Sequence, residues 1–165
     1  MFGNAAHVKI NENRNVVMEP MKEIRISVHN LIDFVLRCGD LDTRFMGKNR
    51  AVEGIRVHQK LQKAAGEGYN AEVALSHTVS YADCCIRIEG RADGIMIDSE
   101  TVTIDEIKTT TTPLELIDEN YNSLHWAQVK CYGYIYALQN NIEQIAIQLT
   151  YYHLDTDEIK RLVRA

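Results

Sequence analysis

The hydrophobic residues of this 165-residue chain change their period three times, and this pattern constrains the fold more than any other feature. Apolar residues in 28–36, and again in 51–65, recur at the three- and four-residue spacing of an amphipathic helix. Residues 72–108 contain short segments rich in Val and Ile, which are typical of β-strands. A helical pattern returns at 123–139, and strand-like segments follow between 142 and 163. This order predicts an α/β or α+β domain with a mixed sheet flanked by helices.

Local signals indicate where several elements begin and end. Ser27 is the predicted N-cap of the first helix, and Gly39 is its predicted C′ residue. Asp98-Ser99-Glu100 is a predicted hairpin turn between two strands. Residues 1–22 have weak periodicity and predict an irregular arm or an edge strand. Because we find no linker or repeat, residues 1–165 are predicted to form a single domain. The strands predicted in the middle of the chain are 72–79, 84–89, 94–97 and 102–108.

Composition excludes several classes of protein. The chain is 45% hydrophobic and 25% charged, which is close to the average of globular domains and allows a sizeable core. No apolar run approaches the ~18 residues of a membrane span, and the N-terminus lacks the apolar region of a signal peptide. We therefore expect a cytoplasmic protein without a membrane partner. The four cysteines show no C-x-x-C spacing, so we expect reduced thiols rather than a structural metal cluster.

The charge is distributed unevenly along the chain, although its net value of −5 argues against a broadly basic nucleic-acid-binding surface. Residues 22–63 contain nine basic and five acidic side chains. Residues 64–121 contain three basic and twelve acidic side chains. This asymmetry would suit a polyanion held beside a carboxylate-bound metal, but from charge alone two ordinary solvated faces are the better explanation.

Asp93, Glu106 and Lys108 form the combination of residues with the clearest chemical meaning. Side chains alternate between faces along a strand, so Glu106 and Lys108 lie on the same side. The predicted hairpin turn returns Asp93 to the neighbourhood of Glu106. Converging carboxylates repel each other unless a cation lies between them, and hard divalent ions prefer oxygen ligands. Such an ion with an adjacent lysine is the minimum apparatus for phosphodiester hydrolysis. Taken singly, each of these residues is better explained as a surface charge.

The pattern Gly90-Arg91-x-Asp93 followed by Glu106-x-Lys108 resembles motifs II and III of the PD-(D/E)XK nuclease superfamily. Two further matches are similar to its RecB-like branch: His58 in an upstream helix, and Gln128 to Tyr132 in a downstream helix as Gln-x-x-x-Tyr. The resemblance covers about residues 27–152. It implies a restriction-endonuclease-like α/β core, in which a mixed central β-sheet is flanked by α-helices.

The resemblance also implies roles for individual residues. Asp93, Glu106 and Lys108 would be catalytic. Taken alone, His58 is better explained as a core histidine, and Gln128 and Tyr132 as helix packing. The implied ligands of a Mg²⁺ or Mn²⁺ ion are His58, Asp93, Glu106 and the carbonyl of Ile107, and the implied substrate-binding residues are Gln128, Tyr132 and Arg91. An imidazole ligand suits Mn²⁺ better than Mg²⁺. For Arg91, contact with phosphate and pairing with a carboxylate both remain open.

Two stretches, 26–31 and 37–42, are similar to the opening of the nuclease domain at the N-terminus of bacterial XPD-like, DinG-type helicases. This resemblance implies a metal-dependent DNA exonuclease acting on single strands in repair or recombination. The implied partners are DNA, as single strands or duplex ends, and a fused or separate helicase. Some relatives hold an iron–sulfur cluster through one cysteine before the nuclease core and three after it. Cys38 could be the first, but no cysteine follows Cys131, so no cluster is expected.

Two other functions are compatible with the sequence. One is a nucleic-acid-binding or helicase-regulating module that keeps the fold without cleaving, although the intact catalytic residues count against it. The other is a phosphohydrolase acting on small substrates, which the lack of a Gly-rich phosphate cradle disfavours.

Overall fold

The computed structural model of the chain describes residues 6–10, 16–20, 22–36, 48–81, 83–99 and 101–165. Its helices are α1 (Val28–Leu36), α2 (Lys48–Ala64) and α3 (Ser123–Asn140), with one 3₁₀ turn at Leu114–Leu116. Its strands are β1 (Ala6–Ile10), β2 (Val16–Pro20), β3 (Lys22–Ser27), β4 (Tyr69–Tyr81), β5 (Cys84–Ile97), β6 (Val102–Thr110), β7 (Ala146–His153) and β8 (Ile159–Arg164).

Six of the strands form one mixed sheet. The strand order is β3-β5-β6-β7-β8, and β4 also pairs with β5. The β3–β5 and β6–β7 pairs are parallel, whereas β4–β5, β5–β6 and β7–β8 are antiparallel. The predicted mixed sheet with flanking helices is therefore confirmed. Strands β1 and β2 form a separate antiparallel pair within the segment for which we expected an irregular arm or an edge strand.

Strand β3 was not predicted from the sequence. Three of its six side chains are charged and most of its positions are exposed, so the sequence shows no clear alternation of apolar and polar residues. Its strand conformation depends on the parallel pairing with β5. The N-cap prediction is confirmed, because the Ser27 hydroxyl accepts a hydrogen bond from the Asn30 backbone N–H at 3.1 Å. The predicted C′ residue, Gly39, lies outside the described residues. The two strands predicted at 84–89 and 94–97 form the single long strand β5.

Helix α3 covers the centre of the sheet and defines the core. Its N-cap Asn122 accepts hydrogen bonds from the backbone N–H groups of Leu124 and His125, at 2.9 and 3.3 Å. Its Gly133 lets the helix approach β7 closely, since a Cβ there would lie 3.2 Å from Ile147. The buried residues of α3 are Trp126, Val129, Tyr132, Gly133 and Ile135. Burial of each large apolar side chain here contributes about 1.5–3 kcal/mol. None of the helices in the described part of the chain is long and apolar enough to cross a membrane.

Candidate functional site

Strand β5 changes its hydrogen-bonding partner at Asp93. Strand β3 pairs with β5 as far as Glu89, and β6 pairs with β5 from Gly94 onward. Strand β4 pairs along nearly the whole of β5, so β3 and β6 share the opposite edge. Residues 90–93 therefore lie in a gap between two partner strands on that edge. Asp93 spans the gap, because its Oδ2 accepts a hydrogen bond from the Ile107 backbone N–H at 2.8 Å.

The β4–β5 hairpin also reverses its faces at this position. The core-packed residues of β5 are Ile88 and Ala92 before Asp93 and Ile95 after it, so the residue parity that faces the core changes. The β4–β5 pairing skips Glu72 and Asp93, whose neighbours pair as Ala71 with Gly94 and Val73 with Ala92, and Glu72 has a φ of 55°. A left-handed backbone at a non-glycine residue costs about 1–3 kcal/mol and is often found at functional sites. At this position Glu72 contacts Gln62 of α2, and Asp93 contacts His58 of α2.

Glu106 is the most deeply buried acid of the site, with 3% of its surface exposed. Its Oε1 accepts a hydrogen bond from Lys108 Nζ at 2.8 Å, whereas its Oε2 is buried with no hydrogen-bond partner. Burial raises the pKa of Glu106 well above its usual range, and Lys108 partly opposes this shift. Lys108 Nζ also donates to Gln128 Oε1 at 3.0 Å, so the lysine is held between the acid and α3.

His58 extends from α2 towards Asp93. Its Nδ1 lies 3.3 Å from Asp93 Oδ1, and both side chains are largely shielded from solvent. The hydrogen bond with Asp93 raises the pKa of His58, and burial opposes this effect. The ligand atoms of His58, Glu72 and Asp93 all lie within 4.8 Å of one another. Predicted ligands from α2 and β5 therefore converge, and a further carboxylate from β4 joins them.

Glu72 and Gln62 were not singled out from the sequence. Gln62 Nε2 donates to Glu72 Oε1 and to the backbone carbonyl oxygen of Asp93, both at 3.0 Å, and so connects α2 with both strands of the hairpin. Two signals could have identified them. Gln62 lies one helical turn after His58, and recognition of β4 and β5 as an antiparallel pair would have placed Glu72 near Asp93.

Tyr132 lies one turn after Gln128 on α3 and closes the site against β5. A Cβ at Gly90 would lie 2.7 Å from the Tyr132 hydroxyl, so glycine is needed for this approach. Burial raises the pKa of Tyr132 to about 12, so the phenol is neutral at physiological pH. The exposed Arg91 lies with its Nη1 3.4 Å from Glu72 Oε2. Of the two alternatives left open for Arg91, the structure therefore contains the carboxylate pair.

The arrangement fits a divalent cation. An imidazole and several carboxylates are donors that Mn²⁺ and Mg²⁺ accept in proteins, and the unpartnered Glu106 Oε2 is the kind of buried atom that a cation would satisfy. When bound beside a phosphodiester, such an ion polarises a phosphoryl oxygen and lowers the pKa of a coordinated water. The Ile107 carbonyl as a ligand, and the catalytic roles of the residues gathered here, remain predictions.

Comparison with known proteins gives two positive findings. A model of the PD-(D/E)XK nuclease superfamily matches residues 33–164, which is well over half of the chain. A solved structure, described as the crystal structure of SSO0001, is similar with a TM-score of 0.57 and 22% sequence identity. The similarity covers 70% of this chain and 52% of that chain, so it spans about half the length of the solved protein and supports the fold. No curated protein matches this sequence.

Proposed function

Because the chain belongs to the PD-(D/E)XK nuclease superfamily, which implies metal-dependent nuclease activity, we propose that it is a deoxyribonuclease that hydrolyses phosphodiesters with an activated water. The observation that carries this proposal is the pairing of the buried Glu106 with Lys108, next to Asp93 on the adjoining strand. A buried carboxylate with an unpartnered oxygen destabilises the fold, and a bound metal ion would satisfy that oxygen.

Each residue has a specific role in this proposal. His58, Asp93, Glu106 and the Ile107 carbonyl hold the divalent ion. Lys108 is fixed by Glu106 and Gln128, and its ammonium orients the attacking water and stabilises the negative charge that develops on the phosphate. The water oxygen forms a new bond to phosphorus as the P–O bond to the leaving sugar oxygen breaks. The attacking water loses a proton to solvent, the leaving oxygen takes one from solvent, and no covalent enzyme intermediate forms.

We further propose that the substrate is single-stranded DNA or a duplex end, degraded exonucleolytically during repair or recombination. The support is the order and spacing of His58, the two acids, Lys108 and the Gln128–Tyr132 motif, which resemble the RecB-like branch. The similarity of 26–31 and 37–42 to DinG-type proteins supports a helicase, fused or separate, as partner. Gln128, Tyr132 and Arg91 are the proposed contacts to the DNA strand. We expect Mn²⁺ to support activity at least as well as Mg²⁺.

The test is cleavage of 5′- and 3′-end-labelled single-stranded and duplex DNA, and of single-stranded RNA, in Mn²⁺, Mg²⁺ or EDTA. Wild type is compared with Lys108→Ala and with the control Lys130→Ala, which removes an exposed lysine of α3. We expect cleavage by wild type and Lys130→Ala, and a loss of roughly 100-fold or more in Lys108→Ala.

The labelled products and a circular substrate define the mode of action. Mononucleotide products from one end, with circular single strands left intact, are expected for an exonuclease. Cleavage of circles would contradict the exonuclease assignment. Metal-dependent DNA binding without cleavage by wild type would favour the non-cleaving, helicase-regulating module instead. Equal cleavage by wild type and Lys108→Ala would show that the activity does not come from this site.

A further inference from the structure

Glu72 lies at the candidate metal site although the sequence motifs do not include it. It comes from β4, between Ala71 and Val73, which pair with Gly94 and Ala92 on either side of Asp93. Its carboxylate lies within 4.8 Å of the ligand atoms of both His58 and Asp93. The three side chains therefore approach one point from α2, β4 and β5.

We propose that Glu72 is a ligand of the divalent ion, bound together with His58 and Asp93. A second observation supports a cation next to this point. Glu106 Oε2 is buried without a hydrogen-bond partner, and the next residue of the same strand, Ile107, donates its backbone N–H to Asp93 Oδ2 at 2.8 Å. A hydrogen bond also fixes the position of the Glu72 carboxylate, because Gln62 Nε2 donates to its Oε1 at 3.0 Å. The inference rests on the proposed function, since that function requires the ion.

The present partners of Glu72 do not explain its geometry. Its ion pair with Arg91 is long, at 3.4 Å, and both side chains are about half exposed, at 64% for Arg91 and 45% for Glu72. Exposed pairs of this kind contribute little to stability, whereas the left-handed backbone at Glu72 carries a definite cost. Binding of a cation that also contacts His58 and Asp93 offsets that cost.

Binding of the ion by Glu72 should weaken the ion pair between Glu72 and Arg91. Metal and guanidinium compete for one carboxylate, so ligation of the ion weakens the hold of Glu72 on Arg91. Arg91 then becomes available for a phosphate group beside the ion, which is a group that guanidinium binds well. In this proposal Arg91 pairs with the Glu72 carboxylate before the ion binds and contacts phosphate afterwards.

Isothermal titration of EDTA-treated protein with MnCl₂ alone tests the inference without reference to activity. The proteins are wild type, Asp93→Asn, Glu72→Gln and the control Glu89→Gln. Glu89 is a suitable control because it lies on the same hairpin and is paired with an arginine, Arg87, at 3.1 Å. Circular dichroism and thermal unfolding establish that each variant is folded.

We expect Asp93→Asn to abolish Mn²⁺ binding, Glu72→Gln to weaken it roughly tenfold or more, and Glu89→Gln to leave it unchanged. Arg91→Gln should strengthen Mn²⁺ binding several-fold, because the competing cation is removed. Loss of binding in Asp93→Asn with unchanged affinity in Glu72→Gln would overturn the role of Glu72 and leave the proposed nuclease centre intact. Absence of Mn²⁺ binding by folded wild type would overturn both.

Discussion

At the scale of single residues, Glu106 shows the conflict between stability and proposed function most directly. Its carboxyl group is almost fully buried, and one of its oxygens has no hydrogen-bond partner. In the folded protein without metal, burial raises its pKa above the value in the unfolded chain. The contribution of this group to stability is therefore fully present at low pH and is lost as the pH rises through the raised pKa.

Replacement of Glu106 by Gln should consequently stabilise the metal-free protein at pH 8. The amide keeps the shape and carries no charge, so we expect a gain of about 1–3 kcal/mol in the free energy of unfolding. Urea unfolding of both proteins in EDTA at pH 5 and pH 8 measures this, and the difference between them should be larger at pH 8. His125, whose pKa burial lowers to about 4, titrates in both proteins and cancels in the comparison. A variant less stable than wild type at pH 8 would contradict this account of Glu106.

The sequence was sufficient to bring Asp93, Glu106 and Lys108 together, because strand alternation and one recognised turn define their relative positions. It was not sufficient for Glu72. Its place depends on the register between β4 and β5, and on a reversal of faces that an alternating pattern cannot indicate. Gln62 was missed for a similar reason, since its partners belong to strands far along the chain from α2.

At the scale of elements, Gly94 in the C-terminal part of β5 leaves room for a buried polar network. The Tyr69 hydroxyl donates to Asp105 Oδ2 at 3.0 Å, while Gln148 and Thr150 donate to Oδ1. This network lies on the face of β6 opposite Glu106 and Lys108. A Cβ at Gly94 would overlap the ring and hydroxyl of Tyr69. The strand therefore tolerates only glycine next to that ring.

Gly94→Ala should lower the free energy of unfolding by roughly 1–3 kcal/mol, because Tyr69 must move and Asp105 loses a donor. The matched control is Gly54→Ala in α2, where the new Cβ would lie 3.8 Å from Thr109 Oγ1, an ordinary contact. That variant should gain about 0.5–1 kcal/mol from the lower helix propensity of glycine. Denaturant unfolding of the two variants beside wild type measures both changes. Equal stability of Gly94→Ala and wild type would show that Tyr69 is not held as described.

Elements with strong periodicity were predicted well, and the exceptions have clear causes. Helix α3 was expected at 123–139 and is found at Ser123–Asn140. Strand β3 was missed because its charged, largely exposed residues show no clear apolar face. The two short strands expected at 84–89 and 94–97 form one continuous strand, because β4 pairs along nearly its whole length.

At the scale of the whole molecule, α2 is attached to the sheet mainly through polar contacts. Within residues 52–64, Val57 is the one buried apolar side chain. His58 and Gln62 reach the β4–β5 hairpin, and Lys60 Nζ donates to the Tyr152 hydroxyl of β7 at 2.8 Å. An ion bound by His58 and Asp93 would add a strong link between this helix and the sheet. The overall fold class could be predicted from the sequence, and the resemblance implied that His58 and Asp93 lie together. The contacts of Gln62 and Lys60 could not be predicted, because their partners are distant in the sequence.

Mn²⁺ should therefore stabilise the whole protein and α2 in particular. With free Mn²⁺ at about 100 times its dissociation constant, linkage gives about 2.7 kcal/mol, which corresponds to a rise in Tm of roughly 5–10 °C for a domain of this size. EDTA should reverse the rise. Asp93→Asn should show no rise, whereas Glu89→Gln, the same control used for metal titration, should behave like wild type.

Hydrogen exchange followed by mass spectrometry locates the effect within the molecule. On addition of Mn²⁺, amides of α2 should exchange more slowly, because the helix can no longer separate from the sheet without releasing the ion. At labelling times of minutes, amides of β7, which lies between β6 and β8 and is buried, should exchange little with or without Mn²⁺, because they exchange only through global unfolding. Protection that increases equally in α2 and β7 would indicate stabilisation only through global unfolding. Protection that increases in α3 but not in α2 would contradict the metal position, since an ion bound through His58 must hold α2.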